Sequence, residues 1–136
     1  MNSISKTLLG LAAALALSAV AHAASPLGTW TMNGNGSSGT LTINSVAADG
    51  TITGTVLGSV LKGFYSDSAG RLVFYRAISG STSSTPPELI QIYEGYLHPC
   101  FSSNPNGSQC IEGSFQAFAG TGATASKNVF GWYAFK

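Results

Sequence analysis

From Gly28 onward the chain alternates apolar and polar residues in short runs rich in Val, Ile, Thr, Tyr and Phe, each closed by Gly, Asn, Asp or Ser. Alternation with period two places successive side chains on opposite faces, the mark of a half-buried strand. Eight such runs are predicted: Gly28 to Asn33, Gly39 to Val46, Thr51 to Leu57, Val60 to Ser66, Arg71 to Ile78, Leu89 to Leu97, Gln109 to Ala119 and Asn128 to Phe135. Asp49-Gly50 and Gly58-Ser59 read as tight hairpin turns, and Asp67-Ser68-Ala69-Gly70 as a slightly longer one. Gly34 to Ser38 and Gly120 to Gly122 read as glycine-rich loops, and the longest linker, Ser79 to Glu88, carries Pro86-Pro87. Short connections force antiparallel neighbours. After the first two dozen residues no apolar pattern at three and four residues persists, so helix is not expected.

Eight hairpin-linked strands close into an up-and-down barrel or fold into a two-sheet sandwich. The terminal runs carry Trp30 and Trp132 but no proline or lysine to blunt an exposed edge, and closure removes both edges. The expected fold is therefore all-β, an eight-stranded antiparallel up-and-down β-barrel with room inside for side chains and one small ligand.

The beginning of the chain follows a different pattern. Residues 1–23 comprise a polar start with Lys6, an apolar stretch from Leu8 to Val20, and the small-residue end Ala21-His22-Ala23. This is the plan of a secretory signal peptide, its apolar part too short to span a bilayer. The expectation is a single domain over residues 24–136, periplasmic or secreted after cleavage. Cys100 and Cys110, the two cysteines, fall in the exported part and are expected to form one disulfide around a turn-rich loop.

Composition narrows the function. Only 8% of the 136 residues are charged, with six basic against five acidic, so no cationic surface exists to bind nucleic acid. The only histidine after residue 23, His98, is expected outside beside Glu112, and no inward pair of acids emerges. The glycine-rich stretches are not followed by a helix, as a phosphate cradle would need. No enzymatic activity, cofactor or metal is expected, since two cysteines and one histidine fall short of a structural zinc set.

The opening strands read Leu27-Gly28-Thr29-Trp30, Gly39-Thr40-Leu41-Thr42-Ile43 and Ala48-Asp49-Gly50-Thr51-Ile52-Thr53-Gly54-Thr55. This wording resembles the avidin and streptavidin family, and Ile92-Tyr93-Glu94-Gly95-Tyr96 is similar to its sixth strand. The resemblance spans residues 24–136 and is sharpest over the first third. It implies an exported eight-stranded barrel, commonly oligomeric, that holds biotin at one end. At the positions where the family grips the ureido oxygen, this chain has Met32, Ser38 or Gly39, and Val56, with Asn33 as a substitute if the first strand slips by one. Tyr133 stands where the family places an aspartate. Most biotin-contact positions are thus altered, and each lost polar partner forfeits about 1 to 3 kcal/mol.

The disulfide offers a second route to the register. If Cys100 and Cys110 face each other directly, His98 opposes Glu112, Tyr96 opposes Ser114 and Glu94 opposes Gln116. The other face, with Leu89, Gln91, Tyr93, Gly95, Leu97, Ile111, Gly113, Phe115 and Ala117, is more apolar and is expected to point inward. The family alignment turns the same face to the ligand. Carried into the eighth strand by that alignment, the pattern puts Val129, Gly131, Tyr133 and Phe135 inward and Phe130 and Trp132 outward. The expected ligand-binding residues are Trp30, Asn33, Val56, Gln91, Tyr93, Phe115 and Tyr133, around a small, partly apolar molecule, with biotin a candidate. Whether this interior is an open pocket or a filled core stays open. Tyr96, Phe118, Phe130 and Trp132 are expected to form an outer aromatic patch for homo-oligomer formation, with no nucleic-acid or membrane partner. Two other readings are a periplasmic protease-inhibitor-like barrel and a structural or adhesion protein acting through the aromatic patch.

Overall fold

A computed structural model describes residues 24–78, 88–101, 108–119 and 126–136. Residues 1–23, expected to be a signal peptide, the Pro86-Pro87 linker, most of the loop inside the disulfide and the Gly120 to Gly122 loop lie outside the described residues. Eight strands follow one another: β1 (Gly28–Gly34), β2 (Ser37–Val46), β3 (Thr51–Val56), β4 (Ser59–Ser66), β5 (Arg71–Ala77), β6 (Glu88–Pro99), β7 (Gln109–Ala119) and β8 (Ser126–Phe135). Each pairs antiparallel with the next, and β8 pairs with β1, so the sheet closes into the expected up-and-down barrel rather than a two-sheet sandwich. A single 3₁₀ turn, Asp67–Ala69, joins β4 to β5.

Two turns differ from expectation. The expected loop from Gly34 to Ser38 is a two-residue turn at Asn35-Gly36, both with positive φ (48° and 76°), and the flanking residues continue the ladder through Gly34↔Ser37. Such backbone matches the right-handed twist of the strands it joins, and Asn-Gly is the pair that adopts it most readily. The β3–β4 hairpin turns at Leu57-Gly58 rather than Gly58-Ser59, which places Leu57 in the left-handed region (φ 49°).

The register of β6 on β7 also differs. His98 pairs with Cys110, Tyr96 with Glu112 and Glu94 with Ser114, so the ladder is two residues away from direct opposition of the cysteines. The disulfide forms on the diagonal, Cys100 to Cys110, with Cα atoms 4.9 Å apart. An offset of two leaves every side chain on its expected face. Gln91, Tyr93, Phe115, Ala117 and Ile111 are accordingly buried, and His98 and Glu112 still approach to 3.8 Å outside.

In β8 the expected faces are reversed. Trp132 and Ala134 are buried and Phe130 packs against the core, whereas Val129 and Tyr133 are exposed and Phe135 is half-buried. The cause is the pairing Phe115↔Phe130 and Gly113↔Trp132, because directly paired residues share a face and the inward residues of β7 bring the even-numbered residues of β8 inward. Neither Trp132 nor Phe130 therefore belongs to an outer patch. Tyr96 is exposed and Phe118 half-buried.

The interior is built in rows of paired residues that run around the wall. Phe74, Tyr93, Phe115 and Phe130 form one row on β5 to β8. The row beneath contains Leu72, Gly95, Gly113, Trp132 and Gly34. Three glycines thus lie in the row of the one indole. A Cβ on Gly95 would come within 2.6 Å of Trp132 Cζ2, and one on Gly34 within 3.2 Å of its Cβ. The indole Nε1 donates to the carbonyls of Glu94 (2.9 Å) and Ser114 (3.2 Å), so its polar atom is satisfied in the core. At the lower end Trp30 Nε1 donates to Pro26 O (2.9 Å), while Lys136 Nζ sits 4.4 Å from the Trp30 ring and donates to Leu27 O. Burial there pulls the Lys136 ammonium below its ordinary pKa.

Two outcomes follow for stability. Gly113→Ala puts a Cβ 1.9 Å from Glu94 O, so urea denaturation is expected to show a loss of about 1–3 kcal/mol, while Gly131→Ala, whose Cβ meets nothing closer than 4.0 Å, leaves the midpoint nearly unchanged. Reducing the Cys100–Cys110 disulfide, which closes a short loop between β6 and β7, is expected to cost about 3 kcal/mol in the same assay.

Candidate functional site

The upper end of the barrel is the end at which β5 finishes and β6 begins. There the wall continues one row above the aromatic one, and its paired residues are Leu61, Arg76, Gln91, Ala117 and Asn128. A polar row thus stands on an aromatic row. Arg76, Gln91, Ala117 and Asn128 of the upper row and Tyr93, Phe115 and Phe130 of the aromatic one line an open cavity of about 310 Å³, to which Met32, Gly34 and Leu57 also contribute. Below it the barrel is filled by packed side chains; above, it is a pocket.

The rings of the aromatic row touch in sequence, the first two pairs stacked and the third tilted. Phe74 and Tyr93 have ring centroids 4.8 Å apart, Tyr93 and Phe115 4.9 Å, and Phe115 and Phe130 5.2 Å. Trp132 meets Phe74 and Tyr93 edge-on from below, at 5.7 Å each. Offset stacks braced edge-on are the favoured geometries of aromatic pairs and leave these rings little freedom. Tyr93 and Phe115 are buried, and Phe130 is the more accessible ring.

Gln91, on this row, is 6% exposed and is a buried polar side chain in an apolar interior. Its Oε1 accepts from Arg76 Nε (2.6 Å) and from the Tyr93 hydroxyl. Arg76 Nη1 reaches Leu57 O at 3.5 Å. The left-handed backbone of Leu57, at the tip of the β3–β4 hairpin, belongs to the same cluster: its side chain lies over Gly39, where an added Cβ would meet Leu57 Cδ2 at 2.3 Å. A left-handed non-glycine residue costs on the order of 1 kcal/mol, and here the tight contact over Gly39 holds it.

The Arg71–Glu94 pair and Asp49 lie away from the mouth. Glu94 and Arg71 pair at 2.7 Å on the outer wall. The hydrogen bond from Arg71 holds the Glu94 carboxyl below its ordinary range. This contribution is present above the unfolded-state pKa and is lost as pH falls through the folded-state value; both partners are exposed, so it is small. Asp49 is lowered by the backbone N–H of Thr51, which closes a turn at the lower end.

Of the seven expected ligand-binding residues, the cavity brings together Gln91, Tyr93 and Phe115. Trp30 is buried at the opposite end, and Val56 is in the core but not on the cavity wall. Asn33 and Tyr133 pair with each other on the outer face, where Asn33 Oδ1 accepts from Ser38 Oγ at 2.5 Å. Asn33 therefore does not replace Met32, whose side chain occupies the interior position. The residues not foreseen are Arg76, Asn128 and Phe130. The signal for Arg76 was its parity, since Leu72, Phe74 and Arg76 fall on one face of β5.

Comparison of the chain with family models, curated proteins and solved structures finds no match. The resemblance to avidins thus rests on the residues quoted above.

Gln91 Oε1 is the common acceptor for a guanidinium and a phenol. Gln91→Leu is expected to remove the acceptor that both donors share and to lower stability by about 1–3 kcal/mol, whereas Gln91→Glu, which keeps the acceptor and supplies charge, is expected to remain near wild type in urea denaturation.

Proposed function

We propose that this chain is an exported, non-catalytic binding protein that takes a small, partly apolar ligand into the upper mouth of its barrel. The observation that carries this reading is the pairing of the two upper rows. A rigid aromatic stack forms the wall and floor, and directly above it Arg76, Gln91 and Asn128 present polar groups around a cavity of about 310 Å³. An apolar concave surface with a few convergent polar groups is the usual composition of a small-molecule site, and this volume lies at its lower end. The polar groups are hydrogen-bonding ones, suited to orienting a ligand. Export is supported by the leader pattern of residues 1–23 and by the disulfide, which persists in oxidising compartments.

The site differs in detail from an avidin ureido pocket. Val56 offers no hydroxyl, and Asn33 and Tyr133 face outward, so three of the contacts implied by the resemblance are missing. These placements weigh against biotin as the ligand and favour a molecule that stacks on aromatic rings.

The test is to fill the mouth. Ala117 lies between Gln91 and Asn128 in the upper row, and Ala117→Trp puts an indole into the cavity. Native mass spectrometry of gently purified wild-type protein, with NMR titration of small ring compounds, is expected to show a ligand that the variant loses while its fold, read by circular dichroism, is kept. Equal binding by both proteins, or none by the wild type, overturns the proposal.

A further inference from the structure

Arg76 is a half-buried cation set into the interior face of the barrel rather than the outside. Its wall neighbours are Leu61 and Gln91, and every hydrogen-bond partner it has among the described residues is a neutral oxygen, Gln91 Oε1 or Leu57 O. Both ion pairs among the described residues, Arg71–Glu94 and His98–Glu112, are on the outer wall, and Arg76 is the only charged residue among the described cavity lining. Among the described residues the mouth therefore carries a positive charge, and no anion is paired with it. Taking a cation out of bulk water is unfavourable unless charge or hydrogen bonds compensate.

The orientation of the guanidinium is itself fixed. Gln91 Oε1 holds Nε, and the Tyr93 hydroxyl on the same oxygen fixes the carboxamide in turn. Nη1 has one long contact and Nη2 none among the described residues, so donors of the planar fork remain available at the cavity. A planar fork of N–H groups matches a carboxylate, and a charge-assisted pair is roughly twice as strong as a neutral one. Phe115 and Phe130 lie in the row below, two residues along their strands from Ala117 and Asn128.

We infer that the ligand of this mouth is a ring-bearing carboxylate, its anionic group taken by Arg76 and its ring laid against Phe115 and Phe130. The inference rests on the proposed function and specifies its chemical class. Gln91 is a positioning residue: it turns the guanidinium toward the cavity. The Leu57 hairpin supports the guanidinium from the other side through its carbonyl.

The experiment compares matched pairs, benzoate with benzamide, phenylacetate with phenylacetamide and indole-3-acetate with indole-3-acetamide, by titrating the full mature protein and following the Arg76 Nε–H and Phe130 ring resonances. At least one carboxylate is expected to bind about tenfold or more tightly than its amide, and to move both resonances together. Arg76→Gln is expected to bring acid and amide to parity, and Arg76→Lys, which keeps the charge without the fork, to fall between them. If acids and amides bind the wild-type mouth equally, the mouth remains a ligand site and the anion inference is overturned. If neither class moves any mouth resonance, the binding proposal fails and the inference fails with it.

Discussion

Everything in this barrel depends on the seam between β1 and β8. It is the shortest ladder of the sheet, with four paired positions, Thr31↔Phe135 to Gly34↔Trp132, yet it turns a twisted sheet with two exposed edges into a cylinder with an inside. Closure gives the alternation of every strand its meaning, because each residue must then face the axis or the solvent. The seam is sized by one pair: Gly34 has no side chain to meet the Trp132 that lies beside it, and Gly113 and Gly95 leave the same space on the next two strands. The largest side chain of the middle is thus accommodated by the smallest residues of three other strands. Its indole N–H finds two main-chain carbonyls within reach.

From that packing the two ends of the barrel differ. The lower end is closed by Trp30 and by Lys136, which bonds back to the segment before β1. The upper end has no such closure among the described residues. Above the aromatic row four of the five paired residues are small or polar, Ala117, Gln91, Asn128 and Arg76, and a cavity remains where a further layer of apolar side chains would otherwise fill the interior. The same stack of rings is therefore both the top of the core and the floor of the cavity.

The strands were legible because alternation is a local property, and the inward face of β6 and β7 because Tyr93, Phe115 and Ile111 are more apolar than Glu94, Glu112 and Ser114. A register displaced by two residues did not disturb that reading, since face depends only on parity. In β8 the same argument had no purchase. Both of its faces are apolar, with Phe130, Trp132 and Ala134 on one and Val129, Tyr133 and Phe135 on the other, and only its pairing with β7 decides between them. Trp30 shows a third limit. Its face was legible but its depth along the axis was not, because stagger between strands is not written in any one of them. Arg76 went unnoticed for a chemical reason: a lone cation in an alternating strand ordinarily faces water, and only the parity of Leu72 and Phe74 shows that this one does not.

The even-numbered residues of β8 join the odd-numbered residues of β6 and β7 around the axis, and the aromatic row so formed carries Arg76 above it. NOE spectroscopy on the isotopically labelled protein tests this arrangement most directly. Cross-peaks linking the Phe115 and Phe130 rings, the Trp132 ring to Tyr93, and the Arg76 Nε–H to the Gln91 side chain are the expected result, with the Trp132 indole N–H protected from solvent exchange. Cross-peaks from the Tyr133 ring to Tyr93, with a freely exchanging Trp132 indole, would contradict the account.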